Sequence, residues 1–376
     1  MKKPSGKPSK KQPSSSLGRA LYRLLHSVLF TANIGVVLLL LLTGYGHVFN
    51  PSKTPLLPLL SYGFPLVALV NLVFVLYWLI RFKGWILLSL VGILLTWGAH
   101  RAWFPLNTGK ETSAEKNIKV LTFNVMNLDF VKDSDGSGLH PVVTYIAESD
   151  ADIVCLQEVG EGFVRHRLKN KQTKKALKAY PYVASGASEG RYSVVCLSKY
   201  PILSKHRIDY ESQSNSSFRY DILVDADTLT VINNHLESNK LNPMEKDRYS
   251  KLITNTETEE ITHVARMLGS KVGNATSIRA AQARAVADEI KQCTHPVVVC
   301  GDFNDVPGSY VYRTISNGLR DVWVEQGRGW GHTFHESFFL FRIDYILHSP
   351  DITIVDVGLD KVKISDHYPL TATLTL

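Results

Sequence analysis

Acids, amides and imidazoles recur at the ends of apolar runs in this sequence. Asn124 closes Val-Leu-Thr-Phe-Asn, Glu158 follows Ile-Val-Cys-Leu-Gln, and His235 ends Thr-Val-Ile-Asn-Asn-His. Asp302 and Asn304 stand in Val-Val-Val-Cys-Gly-Asp-Phe-Asn-Asp, Asp344 in Phe-Arg-Ile-Asp-Tyr-Ile-Leu, and Asp366 and His367 in Ile-Ser-Asp-His-Tyr-Pro-Leu. A hard dication such as Mg²⁺ takes carboxylate and carbonyl oxygens. Hydrolysis at phosphorus also needs a base and groups that hold the oxyanion. Strand ends that bring these side chains together would supply all of them. Each motif alone is weak, because Gly-Asp-Phe-Asn and Asp-His are more often polar turns than sites.

The elements that must position these residues are short β-like runs separated by turn signals. Strands are expected over Ile118–Met126, Ile153–Gln157, Tyr182–Ala187, Tyr192–Ser198, Ile202–Tyr210, Phe218–Asp225, Leu229–His235, Pro296–Cys300, Ile343–Leu347, Ile352–Val357 and Leu370–Leu376. Helices are expected over Pro141–Glu148, Thr173–Ala179, Glu259–Leu268 and Ser277–Gln292. Many short strands with a few helices imply an α/β (α+β) two-layer β-sandwich flanked by helices.

Six motifs in one order, TFN…LQEV…NNHL…GDFND…RIDYIL…SDHYPL, resemble the endonuclease/exonuclease/phosphatase superfamily over roughly Lys116–Leu376. The resemblance implies a hydrolase acting on phosphate ester bonds by direct water attack, with Mg²⁺ or Mn²⁺ as cofactor. Glu158 resembles the metal-binding glutamate, with Asn124 and Asp366 at the same metal site. His367 resembles the histidine that activates water or contacts the scissile phosphate, and Asp344 the carboxylate that fixes its tautomer. Asp302 and Asn304 resemble the pair that orients the nucleophile and a phosphoryl oxygen. His235 matches a second catalytic histidine on the leaving-group side, where abasic-site endonucleases have tyrosine.

Other polar residues have competing readings. Arg279 and Gln282 are expected to pack and pair. Arg342 shares a face with Asp344 by strand alternation, and either touches phosphate or pairs with a neighbour. Glu189 is a candidate support for His235, and His332 and His335 are expected in a loop. More than 40 residues separate His235 from Arg279; that stretch is either a lid or lipid-facing surface, or a solvated excursion. The basic run Val164–Lys178 is either a solvated helix face or a cradle for polyanions.

The N-terminal third has a different composition. Residues 1–110 hold 12 Lys and Arg and no acid, so the chain's net charge of +8 resides there and residues 111–376 carry a net −4. That balance disfavours avid nucleic-acid binding by the C-terminal part. Residues 1–20 read as a disordered basic tail and 106–117 as a linker, with the catalytic domain over 118–376. Between tail and linker, Leu24–Thr43, Leu56–Ile80 and Trp85–Phe104 are each long and apolar. About 20 helical residues cross ~30 Å of hydrocarbon, so residues 21–105 are expected to form three transmembrane helices. Seven Lys and Arg precede or open the first of them, and the short Arg81–Gly84 turn has two. Positive charge stays cytoplasmic, which places the catalytic domain outside the cytoplasm of a multi-pass inner-membrane protein.

Cys155, Cys196 and Cys300 lie in apolar runs and Cys293 follows a helix, so no zinc or disulfide pattern is expected. The expected partners are the lipid bilayer and a phosphate-ester substrate: a phospholipid or sphingolipid, a nucleic acid, or a sugar or inositol phosphate. A monomer is expected. The rival readings are a nuclease acting on DNA or RNA, an inactive binding module of the same fold, and a channel or transporter, which the lack of acidic residues in the apolar helices disfavours.

Overall fold

The computed structural model describes residues 16–54, 56–108, 117–128, 139–160, 170–187, 192–212, 214–239, 258–336 and 340–376. Most of the expected tail and linker, Glu189, the basic positions Arg165, Arg167 and Lys169, and residues 240–257 of the long stretch lie outside the described residues. The chain divides into two compact units, Met1–Leu42 with Pro65–Thr96, and Thr43–Phe64 with Trp97–Leu376.

The first unit is helical. Gly18–Gly44 and Leu57–Ile80 are long and apolar enough to cross a membrane. The third expected span differs from expectation: it is two helices, Ile86–Leu95 and Trp97–Trp103, broken at Thr96. The spans therefore number two, or three if the broken pair counts as one. At the break the Thr96 hydroxyl bonds back to Gly92 O at 2.7 Å, a competing contact that ends or bends a helix. Within this unit Asn33 Nδ2 donates to Ser89 Oγ and Trp78 Nε1 to Asn33 Oδ1, both at 2.8 Å. Such bonds tie apolar helices together where hydrophobicity gives no preference among partners.

In the second unit twelve strands are described: β1 (Ile118–Asn124), β2 (Ile153–Gly160), β3 (Tyr182–Ala187), β4 (Tyr192–Ser198), β5 (Ile202–Ile208), β6 (Ser217–Val224), β7 (Asp227–His235), β8 (Val297–Asp302), β9 (Arg320–Asp321), β10 (Asp344–His348), β11 (Thr353–Leu359) and β12 (Leu370–Thr375). They make two mixed sheets, in orders β11-β12-β1-β2-β4-β3 and β5-β6-β7-β8-β10-β9. The pairs β1–β2 and β7–β8 are parallel and the other pairs antiparallel. Val120, Cys155, Cys196, Tyr220, Val231, Cys300 and Ile346 fill the space between the sheets. On the outer faces, Leu121, Phe123 and Val154 pack on the helix Pro141–Glu148, and Ile232 and Val299 pack on the helix Thr258–Gln292. Strands covered on both faces read as continuous apolar runs, which is the pattern of β1, β2 and β8.

Thr258–Gln292 is one helix rather than the expected two. Gly269 and Gly273 lie within it; a helical glycine costs about 1 kcal/mol relative to alanine, which tertiary packing outweighs. The second unit also takes in residues on the N-terminal side of β1. Trp103 is buried there, Arg342 Nη2 donates to Ala102 O at 2.7 Å, and Asn107 Nδ2 donates to Gly327 O at 2.8 Å.

Candidate active site

Three neighbouring strands set the first row of polar groups. In the β7–β8–β10 register His235 pairs with Asp302, and Asp302 pairs with Asp344. Paired residues place their side chains together on one face, so His235, Asp302 and Asp344 form a row at one end of the sheet. The row needs Gly301 beneath it. Gly301 has φ +119°, and a Cβ there would stand 2.0 Å from Asn234 O, so no other residue fits.

The second sheet presents Asn124 and Glu158. Asn124 ends β1 opposite Gln157. Glu158 has φ 51° at an irregularity in the β2–β4 register, between Leu156 and Val159. A bulge of this kind re-aims a side chain that strand alternation would send elsewhere. Glu158 Oε1 lies 3.4 Å from His235 Nε2, and Asn124 Nδ2 donates to Glu158 Oε1 at 3.1 Å and to Asp302 Oδ2 at 3.0 Å. Asn124 thus bridges the two carboxylates with its amide nitrogen, while its oxygen accepts from Met126 N at 3.1 Å.

His367 faces the row from the other side. Its Nδ1–H donates to Asp344 Oδ2 at 2.7 Å, since an ionised carboxylate only accepts. Its Nε2 lies 3.9 Å from Asp302 Oδ2. Thr333 Oγ1 accepts from the backbone of Asp344, and the Phe334 ring lies 5.0 Å from the imidazole. Both residues sit in the Gly-His-Thr-Phe-His loop, where the histidines draw attention away from the residues between them. Asn304 has φ 52°, and its side chain donates to Leu236 O at 3.0 Å and to Asp302 Oδ2 at 3.2 Å.

Two groups of groups result, Glu158–His235–Asp302 and Asp302–Asp344–His367, each with ligand atoms within 4.8 Å of one another. Asp302 belongs to both. Asp366 belongs to neither; it is buried, and its Oδ1 accepts from Ser365 Oγ at 3.2 Å. Arg342 turns away from the row. It is buried with Nη1 2.7 Å from Asp321 Oδ2, so it pairs with a neighbour rather than reaching a phosphate. Arg279 and Gln282 brace the segment after His235, the one donating to Glu237 O and the other accepting from Glu237 N, both at 2.8 Å. His335 stacks on Tyr368, and His332 lies against the same ring.

These distances set the protonation states. Burial pushes Glu158 up, but the hydrogen bond and charge of His235 outweigh it, with Asn124 and His367 adding to the effect, and the carboxyl stands at about 2. Asp302 is raised to about 6, by burial first and by the Asp344 charge second. For His367 burial works against the proton, yet Asp344, Asp302 and Asp366 together hold its pKa well above 6.5. His235 is raised as well, because Glu158 and Asp302 overcome its burial.

Paired imidazoles and carboxylates stand at the ends of two packed mixed sheets. The chain belongs to the endonuclease/exonuclease/phosphatase family, whose model matches residues 121–367. Its members are phosphoester hydrolases. Residues 26–103 match a second family, described only as a domain of unknown function (DUF8431). No curated protein matches. Among solved structures, an endonuclease/exonuclease/phosphatase from Beutenbergia cavernae is 19% identical at a TM-score of 0.48, covering 70% of this chain and 72% of its own. Danio rerio TDP2, complexed with single strand DNA product, is 19% identical at 0.46, covering 70% and 100%. The 3' phosphatase NExo from Neisseria, bound to product DNA hairpin, is 18% identical at 0.46, covering 68% and 98%. The family rests on the sequence match.

Proposed function

We propose that this chain is a membrane-anchored phosphoester hydrolase dependent on Mg²⁺ or Mn²⁺, with the reaction centred on Asp302. The observation that carries the reading is the shared position of Asp302 between Glu158–His235 on one side and Asp344–His367 on the other. The donors fit a hard dication. Glu158 is ionised across the working pH range, and the buried Asp344 Oδ1 has no hydrogen-bond partner among the described residues. Glu158 and Asp302 would hold the ion, with Asn124 beside them. Asp366 would join them only by moving. Bound there, a dication neutralises charge that develops on the phosphoryl oxygens.

The chain's own groups divide the remaining work. His367 carries its proton at neutral pH, so Nε2–H is suited to hold a phosphoryl oxygen, with Asp344 fixing the ring. Asp302, beside the ion, would orient the attacking water. Asn304 orients the nucleophile beside it, and His235 stands on the leaving-group side. A binding-only role is disfavoured by a complete set of catalytic types in contact.

The experiment is hydrolysis of bis-p-nitrophenyl phosphate by the full chain in detergent. Turnover is expected with Mg²⁺ or Mn²⁺ and loss to background in EDTA, restored by added metal. Full turnover in EDTA would rule out the metal assignment.

The anchor supports an extracytoplasmic catalytic unit. Residues 43–64, which follow the first crossing, belong to the same compact unit as residues 97–376. Counting the broken pair as one span gives three crossings. With the basic tail cytoplasmic, the unit lies outside. Alkaline phosphatase fused after Leu376 is expected to be active, because that reporter folds only after export. An inactive fusion alongside an active cytoplasmic reporter at the same position would reverse the orientation.

Substrate presentation at the bilayer gives a lipid-borne phosphate the advantage over nucleic acid. The net −4 of residues 111–376 argues in the same direction. Hydrolysis of mixed phospholipid vesicles but not of DNA, by the full chain, is the outcome that distinguishes them.

A further inference from the structure

The chain just after Trp103 is clamped to a turn of the catalytic unit. Leu106 makes an antiparallel bridge with Arg328, Gly329 N donates to Pro105 O at 2.8 Å, and Asn107 Nδ2 donates to Val324 O and Gly327 O. The Trp330 ring stands edge-on to Phe104 and to Trp103, with centroids 5.6 and 6.4 Å apart. Leu106 is nevertheless 81% exposed and Trp330 38%, and Arg328 is exposed as well. Gly331, next to Trp330, has φ +59°, and a Cβ there would stand 2.2 Å from the Trp323 ring. The turn thus depends on glycine for a shape that leaves part of a tryptophan uncovered.

The chain fixes the level at which this edge lies. Trp103 is the last residue of the bent helix pair counted above as the third crossing. Leu106 lies three residues further on, about 10 Å of extended chain at most. The polar layer on each side of ~30 Å of hydrocarbon is itself about 5–8 Å deep. Leu106, its bridge partner Arg328 and Trp330 therefore stand at the level of lipid headgroups. Tryptophan concentrates there because its ring is apolar and its N–H polar, and a long cationic side chain beside it extends to lipid phosphates. The same turn continues into the site. Three residues after Trp330, Thr333 Oγ1 accepts from Ile343 N and Asp344 N, both at 3.1 Å, and Phe334 bridges to His367.

We propose that Leu106, Arg328 and Trp330 form a lipid-docking edge, which seats the catalytic unit on the leaflet where the third crossing ends and makes a phosphate ester carried by that leaflet the substrate. The inference rests on the membrane-anchored phosphoester reading above. An aromatic residue beside a helix end is more often packing alone. Packing accounts for the two rings that Trp330 meets. It accounts neither for the open part of the indole nor for Leu106, most of whose surface is free.

The test uses the full chain in vesicles of phosphatidylcholine and phosphatidylglycerol. Leu106→Cys is labelled with bimane on a Cys293→Ser background, since Cys155, Cys196 and Cys300 are fully buried. Quenching by phosphatidylcholine spin-labelled at its headgroup is expected, and Trp330→Ser with Arg328→Gln should remove most of it. A label that is never quenched overturns the docking edge. So does quenching that ignores the two substitutions, because the tether alone would then explain it. Kinetics on the unlabelled chain provide the second arm. Trp330→Ser with Arg328→Gln is expected to lower hydrolysis of the vesicle phospholipid about tenfold, the order of losing one large apolar contact. Turnover of bis-p-nitrophenyl phosphate in detergent should stay nearly unchanged. Equal losses on both substrates would make the turn a mere support for Thr333 and overturn the inference. A wild type that cleaves the diester but not the vesicle lipid overturns the substrate assignment alone. A wild type inert toward both overturns the phosphoester reading and the substrate assignment with it, while quenching still decides the docking edge.

Discussion

His367→Ala and Asp344→Asn are each expected to lower turnover of a phosphodiester by about 10²–10⁴-fold, the range typical of a general acid–base group. Both variants should fold. His367 lies outside the strands, paired only at an isolated bridge to Phe334, and Asp344→Asn preserves shape and the backbone bond from Asp344 N to Thr333. The two residues meet at 2.7 Å, and Asp344 is the largest support for the His367 proton. Residues that act as a unit lose little more together than apart. The double variant should therefore match the worse single one. Losses that multiply would dissolve the pair, and single variants with near-normal kcat would remove both from the site.

The pH profile gives the same pair an independent reading. A histidine whose pKa is raised keeps its proton up to that higher value and loses it above. If His367 works as the imidazolium, activity persists through neutrality and falls on the alkaline side. Asp344→Asn removes the first support for that proton, so the alkaline fall should move toward lower pH. An alkaline limb that stays in place in Asp344→Asn would mean that another group sets it.

Much of this arrangement was readable from sequence, and what was not has identifiable causes. Strands such as β4 and β6 are legible because turn-forming residues bracket short runs rich in β-branched and aromatic side chains. The two-residue β9 and the short helices Tyr310–Ile315 and Val322–Gln326 have too few residues to display a period. The two-helix expectation for Thr258–Gln292 failed because Gly269 and Gly273 look like a break when packing is not visible. Strand alternation puts Arg342 on the face of Asp344 only if the extended backbone runs on ahead of the expected strand Ile343–Leu347. β10 instead begins at Asp344, and Arg342 is free to turn toward Asp321. At the site, residue types pointed to the chemistry, but adjacency did not. That Asp302 stands between His235 and Asp344 follows from the order β7-β8-β10, a pairing of segments far apart in the chain. The bridge from Leu106 to Arg328 spans more of the chain still, and no local pattern encodes it.

Glu158→Gln is expected to weaken Mn²⁺ binding by about a hundredfold or more and to take activity down with it. Outer partners of a metal site alone are worth about 10–100-fold in affinity or activity, and Glu158 as a direct ligand would be worth at least as much. Its charge is also secured in advance. With a carboxyl at about 2, Glu158 is ionised at any pH at which the protein would be assayed, so acidification cannot discharge it. Asp302 is the group that acid reaches, since burial and Asp344 raise it to about 6. Ligands must lose their protons before they bind a cation. In the wild type, Mn²⁺ affinity should therefore hold above about pH 6 and decline as pH falls through it. The two carboxylates then leave different signatures in calorimetric titrations across pH. Glu158→Gln should lower affinity at every pH while leaving the acid midpoint where it was. Asp302→Asn should remove the midpoint. A wild-type affinity that does not change between pH 5 and pH 8 (roughly a unit or more either side of the Asp302 value) would take Asp302 out of the metal site. Unchanged binding in Glu158→Gln would take out Glu158, and with it the hard-cation reading of this end of the sandwich.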